Sequence, residues 1–152
     1  MINLEEQVAV ITGGSRGIGA ASAVMLAKAG ADIVFTYLSN DLAAKQVIDE
    51  VTGLGRKCIA IMANIAKPKA AIRVVEKTLQ KFGQVDVLIN NAGIWTYGEI
   101  GKISEETWKE TMQVNLDGTF YMINAVVPHM KKRRYGRIIN MSSTAGQRGE
   151  AF

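Results

Sequence analysis

Short apolar runs alternate along the chain with longer segments in which apolar residues recur every three or four positions. The runs are mostly apolar on both faces, a pattern typical of buried parallel strands. They cover residues 8–12, 32–37, 57–63, 85–90 and 137–142. Because strands and helices alternate throughout, the pattern predicts an α/β fold: a doubly wound parallel sheet with right-handed crossovers and the strand order 3-2-1-4-5.

Each intervening segment carries one apolar face and therefore predicts an amphipathic helix packed on the sheet. The predicted faces are Ile18, Ala21, Met25, Leu26 and Ala29; Ile48, Val51 and Leu54; Ile72, Val75, Leu79 and Phe82; and Phe120, Ile123, Val127 and Met130. Glycines are expected to end the helices in the left-handed conformation, at Gly30, 53–55, Gly83 and Gly136. The sequence shows no linker or internal repeat, so one domain is predicted over residues 1–152.

Composition narrows the class of protein. The 152 residues are 48% apolar and 21% charged, which is typical of a globular domain. No apolar run reaches the roughly 18 residues that span a bilayer, and the first residues lack the pattern of a signal peptide. The single cysteine, Cys58, cannot form an internal disulfide. We therefore expect a cytoplasmic protein that does not enter the membrane.

The net charge of +4 arises from one local cluster. Residues 129–137 hold five Lys or Arg and no acid, which fits a solvated helix end whose cations suit the negative end of the helix dipole. No nucleic-acid partner is therefore expected. His129 and Cys58 stand alone without the spacing of metal ligands, so no metal site is expected either.

A glycine-rich segment, TGGSRGIG (12–19), follows the first predicted strand and opens the first predicted helix. Gly13, Gly17 and Gly19 would allow a tight turn, a close approach of the backbone to a pyrophosphate, and close packing of the helix on the sheet. The start of the helix supplies N–H donors and a positive dipole end. We interpret the segment as a nucleotide-binding turn, with Ser15 and Ile18 as further cofactor-binding candidates.

The end of the second strand bears on the choice of cofactor. A site for NAD places an acid about 20 residues after the glycine turn, to bind the ribose 2'-hydroxyl. The second strand instead ends at Tyr37, a candidate cofactor contact, and the first carboxylate is Asp41. Arg16 offers a guanidinium suited to a 2'-phosphate. The sequence favours NADP over NAD, with an ordinary surface charge as the alternative role of Arg16.

Three further motifs stand at fixed places. NNAG (90–93) closes the fourth strand, VNLDGTF (114–120) opens a long helical pattern, and INMSSTAG (139–146) ends the fifth strand. With the glycine turn, in this order and spacing, they make the chain resemble the short-chain dehydrogenase/reductase family. It is most similar to the 3-oxoacyl-carrier-protein reductase and glucose dehydrogenase branches. The resemblance implies a Rossmann-type dinucleotide-binding domain.

The resemblance also implies roles for individual residues. Asn115 matches the asparagine that holds a water in a proton relay, and Ser143 matches the catalytic serine that hydrogen-bonds the substrate oxygen, with Ser142 as its support. By itself, a serine pair after a strand suggests a turn or a helix cap.

The resemblance also implies which residues contact the adenine and its ribose in the cofactor. The stretch from Asn90 through Asn91 and Ala92 to Gly93 would shape the adenine-ribose side and brace the central strand. Asn64, followed by Ile65, stands where the family usually has an aspartate against the adenine. An asparagine can still accept through its carbonyl oxygen, and its amide adds donors.

The function implied is an NADP-dependent oxidoreductase that moves a hydride between nicotinamide and a carbonyl or secondary alcohol. A 3-oxoacyl thioester is the expected kind of substrate. Trp95 and Tyr97, just past the fourth strand, are candidates to line a substrate pocket. Trp108 fits that role and core packing equally well. The resemblance further implies a homodimer or homotetramer formed through the helix near 104–134, with Trp108, Met112 and Met122 as contacts.

The family's catalytic Tyr-x-x-x-Lys pair does not occur within residues 1–152. We therefore expect the chain to be the cofactor-binding part of a longer enzyme, incomplete at its carboxyl end and inactive when isolated. A nucleotide-binding module without chemistry is the alternative. An S-adenosylmethionine methyltransferase is disfavoured because no acid ends the second strand.

Overall fold

The structure is a computed structural model that describes residues 2–99 and 101–149. Five parallel strands form one sheet in the order β3-β2-β1-β4-β5. The strands are β1 (Val8–Ile11), β2 (Asp32–Tyr37), β3 (Cys58–Met62), β4 (Val87–Asn90) and β5 (Arg137–Asn140). The predicted fold class and strand order are confirmed.

Helices connect the strands and cover both faces of the sheet. They are α1 (Gly17–Lys28), α2 (Asp41–Gly53), α3 (Pro68–Phe82), α4 (Glu105–Met112), α5 (Gly118–Arg133) and α6 (Ala145–Arg148). A π-helical turn, Gln113–Asp117, joins α4 to α5. The helix predicted near 104–134 is therefore interrupted by one widened turn. Among the described helices, none is long and apolar enough to cross a membrane.

The core consists of two layers, one on each face of the sheet. Val8 and Val10 of β1 pack with α3 and α5, whereas Ala9 and Ile11 pack with α1 and α2. This division follows from the alternation of side chains along a strand. The central strands are buried on both faces, as their apolar sequences predict.

The predicted helix faces are confirmed in part. Residues that pack in the core as predicted are Leu26, Ile48, Val51, Val75, Leu79, Phe82, Ile123, Val127 and Met130. In α1 the buried residues are Gly19, Ala23, Val24 and Ala27, while Ile18 and Met25 are 64% and 72% exposed. Ala21, Leu54, Ile72 and Phe120 of the predicted faces are exposed as well. Small residues let a helix approach the sheet closely, so the buried face of α1 is the one with glycine and alanine, not the one with the largest apolar side chains.

Strand β5 lies at the edge of the sheet, where the predicted strand order places it, and all four of its residues are exposed although they read as a buried strand. Ile138 and Ile139 are 36% and 46% exposed. The reason is that β5 lies at the edge, pairing only with β4 among the described strands. Its sequence is that of an interior strand in an edge position.

The glycine caps are mostly as predicted. Gly30, Gly55 and Gly83 have positive φ angles of 107°, 76° and 77°. The prediction for Gly136 is wrong, because α5 ends on Arg134, which itself adopts the left-handed conformation with φ 55°.

A buried carboxylate joins four elements at the amino edge of the sheet. Asp86 is 2% exposed and accepts hydrogen bonds from the Val8 N–H at 2.8 Å and from Arg133 Nη1 at 2.6 Å. Its main-chain carbonyl accepts from the Arg137 N–H at 2.8 Å. Arg133 is therefore an anchor of α5, while Lys131 and Lys132 beside it are exposed, as predicted for a solvated helix end.

Candidate functional site

A cavity of about 490 Å³ opens where β1 to β4 end. Parallel strands present their carboxyl ends at one edge, and ligands of doubly wound sheets bind there. The lining residues are Gly13, Ser15, Arg16, Gly17, Ile18, Thr36, Tyr37, Leu38, Ser39, Asn40, Ala63, Asn64, Ile65, Asn91, Ala92, Gly93, Ile94, Glu110 and Val114. All the candidate cofactor-binding residues except Gly19 are among them.

The glycine turn is tied to the neighbouring strand β2. The Gly13 N–H donates to Thr36 Oγ1 at 3.2 Å, and the Gly14 N–H donates to the Thr36 carbonyl at 2.9 Å. Gly13 and Gly17 have φ angles of +66° and +54°, which side chains rarely allow. A Cβ on Gly17 would meet no atom within 4 Å, so this corner of the turn faces open space.

Asn91 braces the glycine turn from the end of β4. Its Nδ2 donates to the carbonyls of Thr12 and Gly13 at 2.9 and 3.2 Å, and its own N–H donates to Thr12 Oγ1 at 3.0 Å. Gly19 lies outside the lining, beneath the turn. A Cβ there would stand 2.3 Å from the Gly13 oxygen and 2.6 Å from Asn91 Nδ2. These residues shape the turn.

The start of α1 is suited to an anion. Arg16 occupies the cap position in extended conformation, no described side chain caps the helix, and its first turn holds no acid. The first N–H groups of a helix lack intrahelical partners, so they are available to a phosphate. The exposed Arg16 adds a positive charge at the same place. The residues present therefore fit a pyrophosphate group.

The carboxylate nearest to the end of β2 belongs to Asp41, which does not line the cavity. The Tyr37 hydroxyl donates to Asp41 Oδ1 at 2.7 Å, and this hydrogen bond raises the pKa of Tyr37. Tyr37 lines the cavity but Asp41 does not. Ser39 and Asn40 follow Tyr37 in the lining and carry no charge. The described lining thus holds no acidic side chain at this end of the cavity that could pair with Arg16.

Asn64 lines the cavity beyond β3 with half of its amide already engaged. Its Oδ1 accepts from the Ala66 N–H at 3.0 Å. The Nδ2 group can donate to a ligand, and the second lone pair of Oδ1 can still accept from one. The next residue, Ile65, is 6% exposed and supplies an apolar surface.

The two predicted catalytic residues lie at the same edge of the sheet but outside the cavity lining. Asn115 stands in the π-helical turn, a feature often found at functional sites. Its Oδ1 accepts from the Ile94 N–H at 2.8 Å, and its Nδ2 donates to the Ile94 carbonyl at 2.9 Å. The asparagine thereby fastens the loop after β4 to the helix.

Ser143 is exposed in the loop after β5, where its Oγ accepts from the Ala145 N–H at 3.2 Å. The local geometry is thus that of the turn that a serine pair suggests by itself.

The aromatic residues past β4 are exposed. Trp95 and Tyr97 are 70% and 61% exposed and pack edge to face with ring centroids 6.4 Å apart. Trp108 is 60% exposed, so the alternative of core packing for this residue is wrong.

In residues 2–99 and 101–149 no three His, Cys, Asp or Glu side chains are grouped as a metal site. Burial raises the pKa of the Cys58 thiol to about 12, so it stays protonated at neutral pH.

Some lining residues were missed by sequence reasoning. Ser39 and Asn40 could have been found, because they directly follow a strand end. Glu110 and Val114 come from a different helix region; Glu110 belongs to no motif, and Val114 opens the 114–120 motif without having been marked as a cofactor contact. They reach the cavity because Gly118 lies against Ile65, where a Cβ would stand 2.1 Å from Ile65 Cδ1. This close approach lays the α4–α5 segment over the loop after β3.

The sheet order, the glycine turn and the cavity are those of a doubly wound α/β protein with a ligand cavity at the carboxyl ends of its strands. Residues 7–152 match the family model described as short chain dehydrogenase, and the chain belongs to that family. A 3-oxoacyl-(acyl-carrier-protein) reductase from Synechocystis sp. is 40% identical over 149 residues, which are 98% of this chain and 60% of the relative. The chain thus spans about 60% of the length of this relative.

Solved structures agree with the sequence relatives. A blue fluorescent protein from a metagenomic library, in complex with NADPH, superposes with a TM-score of 0.89 at 39% identity, over 98% of this chain and 60% of that one. An NAD⁺-bound xylitol dehydrogenase gives a TM-score of 0.92 at 28% identity, over 97% of this chain and 56% of that one. Both kinds of nicotinamide cofactor therefore occur among similar structures.

Proposed function

We propose that residues 1–152 form the dinucleotide-binding domain of an NADP-dependent oxidoreductase. It would transfer a hydride between nicotinamide and a carbonyl or secondary alcohol, with 3-oxoacyl thioesters as the substrate class. The observation that carries the proposal is one cavity that joins the glycine turn, Tyr37, Asn64–Ile65 and Asn91–Gly93. The identity to a 3-oxoacyl-(acyl-carrier-protein) reductase supports the substrate class.

Each part of the cavity has a role in this proposal. The Gly13–Gly17 turn and the first N–H groups of α1 hold the pyrophosphate. Ile65 and Val114 give the adenine an apolar surface. When bound, the nicotinamide supplies the hydride chemistry. Ser143 donates a hydrogen bond to the substrate oxygen, where negative charge develops, and Asn115 holds the relay water.

The activity is tested by following NADPH oxidation by the full-length protein with simple ketones and with 3-oxoacyl thioesters. Turnover with either substrate class supports the oxidoreductase. Tight NADPH binding without turnover on any carbonyl would favour a nucleotide-binding module instead.

The preference for NADP is proposed to come from Arg16. Replacing Arg16 with alanine is expected to weaken NADPH binding by roughly 10- to 100-fold, because a hydrogen bond to a charged group contributes about 1.5–3 kcal/mol. NADH, which lacks the 2'-phosphate, should bind about as well as before. Titration of both cofactors measures the effect. Lys77→Ala, on the exposed side of α3, is the matched control. Equal affinities of the unaltered protein for the two cofactors would remove Arg16 from this role.

We further propose a homo-oligomer formed by the outer face of the α4–α5 segment. Trp108, Leu116 and Phe120 are 60%, 55% and 57% exposed there. Met122 was predicted as a contact, but it is fully buried in the core, because the face of α5 that carries it packs on the sheet. Met112 is half-buried.

Phe120→Asp is expected to weaken self-association by roughly 30-fold, since central aromatic contacts typically contribute about 2 kcal/mol or more. Sedimentation velocity across a concentration series measures the association. Ile72→Asp, at a 50% exposed position on α3, is the control and should leave it unchanged. A protein that sediments only as a monomer before any substitution would refute the proposed interface.

A further inference from the structure

His129 is the only histidine among the 152 residues, and it lies outside the described lining of the cavity. The side chain is half-buried near the end of α5. Its Nε2 accepts a hydrogen bond from the Val85 N–H at 3.3 Å. Val85 follows α3 and precedes β4, so this bond joins α5 to the segment through which the chain enters the sheet.

The bond requires the neutral form of the imidazole ring. Val85 is fully buried, and His129 is the partner that the described residues offer to its N–H. A ring nitrogen that accepts from an N–H carries no proton of its own, so the one proton of the neutral ring lies on Nδ1. Protonation would set two N–H donors against each other and leave the buried Val85 N–H without an acceptor. Such a loss typically costs about fivefold or more in an equilibrium constant.

The charged groups around the ring favour its neutral form. Burial lowers the pKa of His129 below its ordinary value, Arg133 and Lys132 of α5 lower it further, and Asp86 before β4 acts in the opposite direction. Asp86 is already paired with Arg133 at 2.6 Å. Of the elements packed on α5, α3 has Lys81 as the one charge of its last turn, and that side chain is exposed. Strand β4 carries no charged residue, and the π-helical turn lies at the far end of α5.

We propose that His129 is a pH-sensitive latch that fastens the end of α5 to the segment before β4 when it is neutral and releases that end when it is protonated. Protonation also adds a charge to residues 129–137, which already hold five Lys or Arg and no acid, so repulsion favours the released form. The latch lies at the amino edge of the sheet and does not depend on the proposed function.

The direction of the pH dependence follows from the lowered pKa. Above the ordinary histidine pKa of about 6.5, the ring is neutral in both the folded and the unfolded chain, and the latch contributes its full stability. That stability is lost as the pH falls from there through the lower pKa of the folded protein.

Amide hydrogen exchange of the full-length protein tests the latch, because it follows the Val85 N–H itself. The protection factor of this amide is expected to fall by about fivefold or more between about pH 8 and about pH 5. The neighbouring Asp86 N–H is the internal control. It donates at 2.9 Å to the Val8 carbonyl, an acceptor that does not titrate, so its protection factor should change much less.

His129→Gln is the matched variant, because the glutamine Oε1 can accept from the same N–H at every pH. It should protect the Val85 amide equally at both pH values. His129→Leu offers no acceptor and should leave this amide weakly protected at both.

Nitrogen NMR of the histidine ring, assigned by the loss of its signals in His129→Gln, is expected to place the proton of the neutral ring on Nδ1. A neutral ring with its proton on Nε2 would overturn the proposal, as would Val85 protection in the unaltered protein that is the same at both pH values. Both measurements use the unaltered protein, so they decide the matter even where a variant does not fold. An equal fall of protection in folded His129→Gln would also overturn the latch.

Discussion

Replacing Gly19 with alanine is expected to weaken NADPH binding by about 10- to 100-fold, since forcing a methyl group into a packed site costs about 1–3 kcal/mol. The added Cβ would lie 2.3 Å from the Gly13 oxygen and 2.6 Å from Asn91 Nδ2. Neither atom can withdraw freely. The Gly13 N–H is bonded to Thr36 Oγ1, and Asn91 Nδ2 also holds the Thr12 carbonyl. The glycine turn must therefore shift, and the phosphate donors shift with it.

Titration with NADPH measures this loss, and thermal unfolding of the same variant shows whether it is folded. Gly53→Ala is the matched control, because a Cβ at Gly53 would meet no atom within 4 Å and its φ is not positive. Alanine is favoured over glycine in a helix, so this control should be neutral or slightly stabilising. A folded Gly19→Ala protein with unchanged affinity would show that the turn does not hold the pyrophosphate.

Asp86→Ala is expected to lower the free energy of unfolding by about 3 kcal/mol, a value typical of a buried ion pair that loses one partner. Asp86 Oδ2 accepts from the Val8 N–H and from Gln84 Nε2, both at 2.8 Å, and Oδ1 pairs with Arg133. Alanine would remove the acceptor of the Val8 N–H and of Arg133 Nη1, whereas Gln84 Nε2 would keep its bond to the Glu6 carbonyl. Because the Arg133 side chain is 33% exposed, water can reach part of it, which keeps the expected loss at the lower end of the range.

Urea unfolding measures the change. Asp49→Ala is the control, since Asp49 pairs with Lys45 on the surface with side chains 62% and 70% exposed, and such pairs contribute about 0.3–0.5 kcal/mol. NADPH affinity should be little changed in folded Asp86→Ala, because Asp86 lies at the opposite edge of the sheet from the cavity. A loss as small as that of the control would mean that Asp86 does not hold β1 and α5 together.

The cofactor-side residues could be predicted from the sequence because each motif directly follows a strand. The glycine turn follows β1, Tyr37 ends β2, Asn64 follows β3 and Asn91 follows β4. Parallel strands bring these ends to one edge, so residues far apart in sequence share one cavity. The roles proposed for Asn115 and Ser143 depend on the family resemblance, since neither lines the cavity.

The helix faces show where a periodic pattern is insufficient. The largest apolar residues of α1 mark the wrong face, because the closeness of a helix to the sheet depends on which side lacks bulk. The same holds at Gly118, whose contact with Ile65 cannot be read from periodicity. Glu110 enters the cavity through that contact, and its sequence neighbourhood gives no sign of it.

By itself, the sequence determined the alternation of strands and helices, the sheet order and the glycine turn after β1. These depend on periodicity and on residues adjacent in the chain, and local geometry follows directly from both. Only the tertiary structure decided the pairing of Asp86 with Arg133, the bracing of the turn by Asn91 and the place of Glu110 in the cavity lining. Each of these depends on contacts between segments that are far apart in the chain. How close such segments come in space depends on how closely their backbones can approach once the core is packed.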